Sequence, residues 1–247
     1  MRYTPHNRWG QKPKGANRLE NACICFAGIS PLAVHAQTGP DTPMKPDDIL
    51  PTYNRVAPEW DRRRDRSLFE RKWMDRLIQH TPLNEKRRRV LDLGCGSGRP
   101  IASYLLERGL DVTGVDGAAA MVELFKQNLP RAKIVNADMR GLDLGQKFDA
   151  VMGWNSFFHL SAEDQRAMFA VFARHAAPRA ALMFTSGTSN GEAIGHVADE
   201  PVYHASLDPQ EYRDLLTQHG FEELAFVPED PECNQHTIWL ARYVGLG

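Results

Sequence analysis

Three aspartates close, or nearly close, three short apolar runs: Asp92 in RVLDL, Asp116 in DVTGVD and Asp138 in AKIVNAD. Gly94, Gly96 and Gly98 follow the first of them, in VLDLGCGSGRP. A strand that enters a glycine-rich turn and then a helix offers backbone N–H groups to a ligand, and the missing side chains let that ligand approach the backbone. The spacing G-x-G-x-G is one residue shorter than the dinucleotide pattern G-x-G-x-x-G. Asp92, two positions before Gly94, repels a pyrophosphate and favours a cationic amino group. Asp116 stands 116 − 94 = 22 positions after the first glycine, where a carboxylate accepts from a ribose diol. Asp138 closes the third run at the same edge, in reach of an adenine amine. Three carboxylates at successive strand ends repel one another unless a ligand or other partners meet them. Together they describe an adenosine with a zwitterionic amino-acid tail.

The elements that must carry these residues alternate. Strands are expected at 89–93, 111–116, 132–138, 148–154 and 180–186, with helices between them at about 99–108, around Met121, Leu124 and Phe125, and at 161–175, where Ser161 and Asp164 form a capping box. This is α/β: a doubly wound, mostly parallel sheet with helices on both faces. Two helices precede it, one with Tyr53, Val56, Ala57 and Trp60 on one face, the other at 67–80 ended by Thr81-Pro82. Asp208-Pro209-x-Glu211 starts a last helix, which ends at Gly220. Runs 221–227 and 236–243 then form a hairpin at the sheet edge. Thr188 to Leu207 reads as a long loop, the kind that serves as a lid.

Bulk properties narrow the partners. At 247 residues with a formal net charge of −1, the chain suits one large domain and has no electrostatic grip on nucleic acid or an anionic bilayer. The triplets Arg62-Arg63-Arg64 and Arg87-Arg88-Arg89 have carboxylates beside them and read as solvated faces. Cysteines 23, 25, 95 and 233 lack metal-ligand spacing, so no metal is implied. Residues 1–46 read as a disordered extension or a misread start, with Met44 as the natural beginning and 47–247 as the single domain. Val34-His35-Ala36 resembles a signal-peptidase site, but Glu20, Pro31 and the need for a cytoplasmic cofactor point to the cytoplasm.

VLDLGCGSG, VTGVD, NAD and FDAVMGWNSFFHL, in that order, resemble the class I S-adenosylmethionine-dependent methyltransferases, in the branch that includes many small-molecule methylases. The resemblance covers roughly Asp47 to Tyr243 and implies seven strands with the last antiparallel. It maps the methionine part to Asp92, Gly94, Cys95, Gly96 and Gly98, the ribose to Asp116, and the adenine to Gly117, Met121, Asp138 and Met139. Trp154 and Asn155 then line the sulfonium region, and a covering helix brings Tyr53, Ala57, Trp60 and Asp61. Many members carry P-G-G before the fifth strand, where this chain has Pro178-Arg179-Ala180.

The acceptor side rests on histidines. His159, in SFFHL, lies just past the fourth strand, and His196, Tyr203 and His204 lie in the long connection. All four are candidate substrate contacts. His159 and His204 are the candidate catalytic bases, since imidazole titrates near neutral pH. The expected activity is methyl transfer from S-adenosylmethionine, leaving S-adenosylhomocysteine, to a small-molecule acceptor. Methylation of protein or nucleic acid, nicotinamide-dependent oxidation and a silent adenosyl-binding role are the alternatives. Trp154-Asn155-Ser156-Phe157 stands where amino-methylating enzymes carry N-P-P-Y.

Overall fold

Residues 44–83 and 88–246 are described by the computed structural model; the extension expected over residues 1–46 lies almost wholly outside them. In chain order the strands are β1 (Arg89–Leu93), β2 (Asp111–Asp116), β3 (Lys133–Asn136), β4 (Phe148–Gly153), β5 (Ala176–Ser186), β6 (Gly191–Val197), β7 (Glu200–Ser206), β8 (Phe221–Asp230) and β9 (His236–Tyr243). The helices are α1 (Ile49–Arg63), α2 (Arg71–His80), α3 (Ile101–Glu107), α4 (Ala119–Asn128), α5 (Ala162–His175) and α6 (Pro209–Gln218).

Alternation within the strands makes two cores. Leu91, Leu93 and Val151 face one side, against Phe169 and Phe172 of α5 and Tyr212 and Leu216 of α6. Val90, Val112 and Met152 face the other, against Trp73 and Leu77 of α2, Leu105 of α3 and Phe125 of α4. A sheet covered on both faces has no need of polar positions inside its strands, and β4 is buried along its whole length.

Seven strands form one sheet in the order β3-β2-β1-β4-β5-β9-β8. The first five are mutually parallel, and β9 runs antiparallel to both neighbours. The order reverses between β1 and β4, and in open α/β sheets ligands bind at such a switch, beyond the carboxyl ends of the strands.

Local signals place most boundaries. Ser161 Oγ accepts from Asp164 N–H at 3.0 Å at the start of α5, and Asp208 accepts from Gln210 N–H at 2.8 Å at the start of α6. β5 begins at Ala176, four residues before the expected Ala180. Arg179, in place of the glycine of the resembled turn, holds φ +66°, and the β4–β5 register shifts between Phe148 and Ala150. The largest departure is the expected long loop: residues 191–206 are the antiparallel hairpin β6–β7. Its sequence GEAIGHVADEPVYHAS alternates poorly, and its first strand is largely exposed. Among the described residues no helix is long and apolar enough to cross a membrane.

Candidate functional site

A cavity of about 920 Å³ lies over the carboxyl ends of the strands, roofed by α1 and the β6–β7 hairpin. Its floor begins at the turn after β1. Gly94 holds φ +74°, and a side chain there would overlap Ser156, whose hydroxyl donates to the Leu93 carbonyl at 2.6 Å. Gly96 holds φ +54° directly below Trp60; an added Cβ would lie 3.0 Å from the indole ring. Only glycine leaves room for backbone, indole and a ligand together.

The three aspartates have different surroundings. Asp116 accepts Gly96 N–H at 2.9 Å and Ala118 N–H at 2.8 Å, so its carboxylate organises the glycine turn. Asp138 pairs with Arg140 at 2.7 Å and accepts the Arg140 backbone N–H at 2.9 Å. Mutual repulsion therefore does not demand a ligand at Asp138, which has its own cation. Asp92 is the one left without a partner among the described residues: it is 3% exposed, and burial, with the nearby charge of Asp116, pushes its carboxyl up to about 7. A cation entering beside such a carboxylate favours its charged form and brings its pKa back down. A cation also borders the turn. Arg99, next to Gly98, lines the cavity and has no partner among the described residues.

Tyr53, Trp60, Cys95, Gly98, Gly117, Met121 and Met139 also line the cavity. Cys95 is half-buried, and desolvation first, then the charges of Asp92 and Asp116, hold its thiol well above the usual range. Met121 packs on Ala57 and Ala118, joining α4 to α1. Asp61 does not line the cavity; its carboxylate pairs with Arg66 at 3.0 Å.

Beyond β4 the chain turns sharply, with Asn155 at φ +52°. The Asn155 backbone N–H donates to Thr185 Oγ1 at 2.9 Å, and its amide meets Nε2 of His236 at 3.0 Å. His236 Nδ1 lies 2.7 Å from the Cys233 carbonyl, so Nδ1 carries the proton and Nε2 accepts from Asn155. Burial pushes His236 down to about 4, and its ring stacks on Trp154 at 5.5 Å. The Trp154 indole N–H is buried with no acceptor among the described residues.

The histidines divide into different roles. His159 Nδ1 lies 2.8 Å from the Tyr203 carbonyl and therefore donates, leaving Nε2 to accept the Tyr53 hydroxyl at 2.9 Å. Both nitrogens are committed to the protein, and burial, with the neighbouring His204, pushes the imidazole down to about 3. That geometry opposes a base role for His159. His204 packs edge-on to Phe158 at 4.8 Å and beside His159 at 4.9 Å, and burial holds it at about 4. Its ring lies over Gly195, where any side chain would overlap it. His196 is exposed on the cavity rim. Tyr203 does not line the cavity: it is buried with Ile49, Val202 and Ala205, and its hydroxyl donates to Glu192 at 2.7 Å.

His236, Arg99 and Phe69 line the cavity and are missing from the residues to which the sequence pointed. His236 stands 81 positions from its partner Asn155, and only the pairing of β9 between β5 and β8 brings them together. For Arg99 a signal existed, since it directly follows the glycine run.

The profile of the family described as "Methyltransferase domain" matches residues 90–179, the stretch from β1 into β5. The cypemycin N-terminal methyltransferase of Streptomyces sp. is 36% identical over 107 residues, 41% of this chain and 42% of that protein. A dTDP-3-amino-3,4,6-trideoxy-alpha-D-glucopyranose N,N-dimethyltransferase of Streptomyces venezuelae is 34% identical over 91 residues, 36% of this chain and 38% of that protein. The chain thus spans about two fifths of the length of these curated relatives. Among solved structures, an amino pentose methyltransferase from Micromonospora echinaspora, bound to S-adenosylmethionine, superposes with a TM-score of 0.59 at 19% identity, covering 84% of this chain and 99% of that one. That likeness is one of fold. The domain profile lies on the glycine turn and the strands that carry the three acids, so residues 90–179 are similar to a methyltransferase domain.

Proposed function

We propose that residues 47–247 act as one cytoplasmic domain that transfers a methyl group from S-adenosylmethionine to a small-molecule acceptor. The observation that carries this reading is Asp92, a buried carboxylate without a counter-charge among the described residues, set beside a glycine turn under a cavity of about 920 Å³. The residues fit the cofactor. Asp92 answers the ammonium of its amino-acid tail and Arg99 the carboxylate. Asp116 keeps acceptor capacity for the ribose diol, and Gly117, Met121 and Met139 offer an apolar slot for adenine, with Asp138 at its rim. The relatives named for aminosugar substrates support a small acceptor.

S-adenosylmethionine supplies a methyl group on a positively charged sulfur. The chain's own residues supply alignment and dryness, effects worth roughly 7 to 11 kcal/mol in well-oriented systems. Trp60 and Tyr53 cover the cofactor side, while Trp154 and Asn155 bound the place where the methyl is presented. His204 is unprotonated at neutral pH, since burial holds it at about 4. It accepts the acceptor's proton only as the nucleophile gains the methyl, so its weak basicity is no obstacle to a concerted transfer.

Calorimetric titration with S-adenosylhomocysteine and with NADH tests the cofactor assignment. Micromolar or tighter binding of the former, weakened in Asp92→Asn, is expected; preferential binding of NADH would return the chain to the oxidoreductase alternative.

A further inference from the structure

The sheet order divides the cavity into halves. Asp92, Asp116 and Asp138 lie over β1, β2 and β3, whereas Asn155, Ser186 and His236 lie over β4, β5 and β9, beneath the hairpin. The second half is where an acceptor must sit if the first holds the cofactor, so assigning it to the acceptor rests on the methyltransferase reading.

Charge is distributed unequally between the two. Asp92 and Arg99, ionisable groups without partners among the described residues, flank the glycine turn, one of each sign. On the acceptor side the charged side chains are already engaged. Arg64 pairs with the buried Glu70 and lies over the Phe69 ring at 5.6 Å. Arg63 pairs with Glu59 and, at 2.9 Å, with Asp199 of the hairpin tip. Glu192 is solvent-exposed and takes the Tyr203 hydroxyl. What remains facing inward is aromatic or neutral and polar: Phe69, Phe158, Trp154, Asn155, His204 and His236.

We infer that this half takes an uncharged, largely apolar molecule presenting a hydroxyl or N–H group. A carboxylate or phosphate there would lose its water against ring faces, with no unpaired cation among the described residues to receive it, a transfer that is costly without compensation. Among the described residues on that side an ammonium would meet only Glu192, whose carboxylate is solvent-exposed and already accepts the Tyr203 hydroxyl, an exposed pairing worth little. A hydroxyl or N–H instead meets neutral polar side chains such as Asn155, Thr188 and Ser189, and an apolar body covers Phe69 and Phe158. The dTDP-sugar named for the Streptomyces venezuelae relative carries a diphosphate and is the opposite kind of acceptor.

Saturation-transfer NMR on the protein with S-adenosylhomocysteine bound tests this with a matched pair, 2-naphthol and 2-naphthoate, and with dTDP-glucose. The naphthol is expected to bind at least tenfold tighter than either anion. Thr188→Lys, which adds a cation at an exposed position of the acceptor wall, is expected to narrow that ratio without moving S-adenosylhomocysteine affinity. Equal or tighter binding of an anion, no binding of the naphthol, or a ratio unmoved by Thr188→Lys would overturn the inference. Cofactor affinity measured in the same samples separates these outcomes from failure of the methyltransferase reading.

Discussion

The Tyr53 hydroxyl donates to Nε2 of His159 across 2.9 Å, and the other nitrogen of the same ring donates to the Tyr203 carbonyl across 2.8 Å. One imidazole thereby fastens both roof elements, α1 and the β6–β7 hairpin, to the turn after β4. Its value lies in holding the roof rather than in moving protons.

Tyr53→Phe removes the donor and leaves a buried nitrogen unsatisfied, which costs about 1–3 kcal/mol. Urea denaturation at pH 7 should show that loss. Faster hydrogen exchange in residues 49–63 and 191–206 together should accompany it, because one clasp serves both.

Acid should weaken the fold through the histidines. His159, His204 and His236 are held at about 3, 4 and 4, all below their unfolded value near 6.5. The unfolded chain therefore binds protons first, and stability falls as pH drops from about 6.5 towards 4. His236→Gln should flatten part of that slope in denaturation curves taken between pH 7 and 4.5. Identical slopes would show that the imidazole is not held neutral.

Asp92 titrates with the opposite sign. Its carboxyl is held up to about 7, above the unfolded value near 3.9, so its contribution to stability declines as pH rises from about 4 to 7. A bound ammonium reverses the preference. S-adenosylhomocysteine should bind more tightly as pH rises from 6 to 8, releasing a proton, and Asp92→Asn should lose that dependence along with about 10- to 100-fold in affinity, the range for a charged hydrogen bond.

His204 and Gly195 are linked by space. His204→Ala should lower transfer by about 10²–10⁴-fold, the usual range for a general base, with S-adenosylhomocysteine affinity unchanged. Gly195→Ala should displace the ring and reproduce part of that loss, while the NMR titration of His204 moves towards 6.5. An undisturbed titration would deny the contact.

The glycine turn and the alternating strands were legible because backbone conformation and a doubly covered sheet each demand particular residue types at fixed spacing. The hairpin was not, since Gly191, Gly195 and an exposed β6 give no period-2 pattern. Nor was the fate of the histidines. His159 lies 106 positions from Tyr53 and 44 from Tyr203, so its commitment to both is a property of the packed roof. Asp138 reads in the sequence as a carboxylate seeking a ligand, although Arg140, two residues on, satisfies it.

Incubating the protein with methyl-labelled S-adenosylmethionine and a host-cell extract, with Asp92→Asn alongside, separates transfer to a small acceptor from the alternatives. Label should enter the low-mass fraction, and only with the unaltered chain. Label confined to protein or nucleic acid, or equal labelling by the variant, would contradict it.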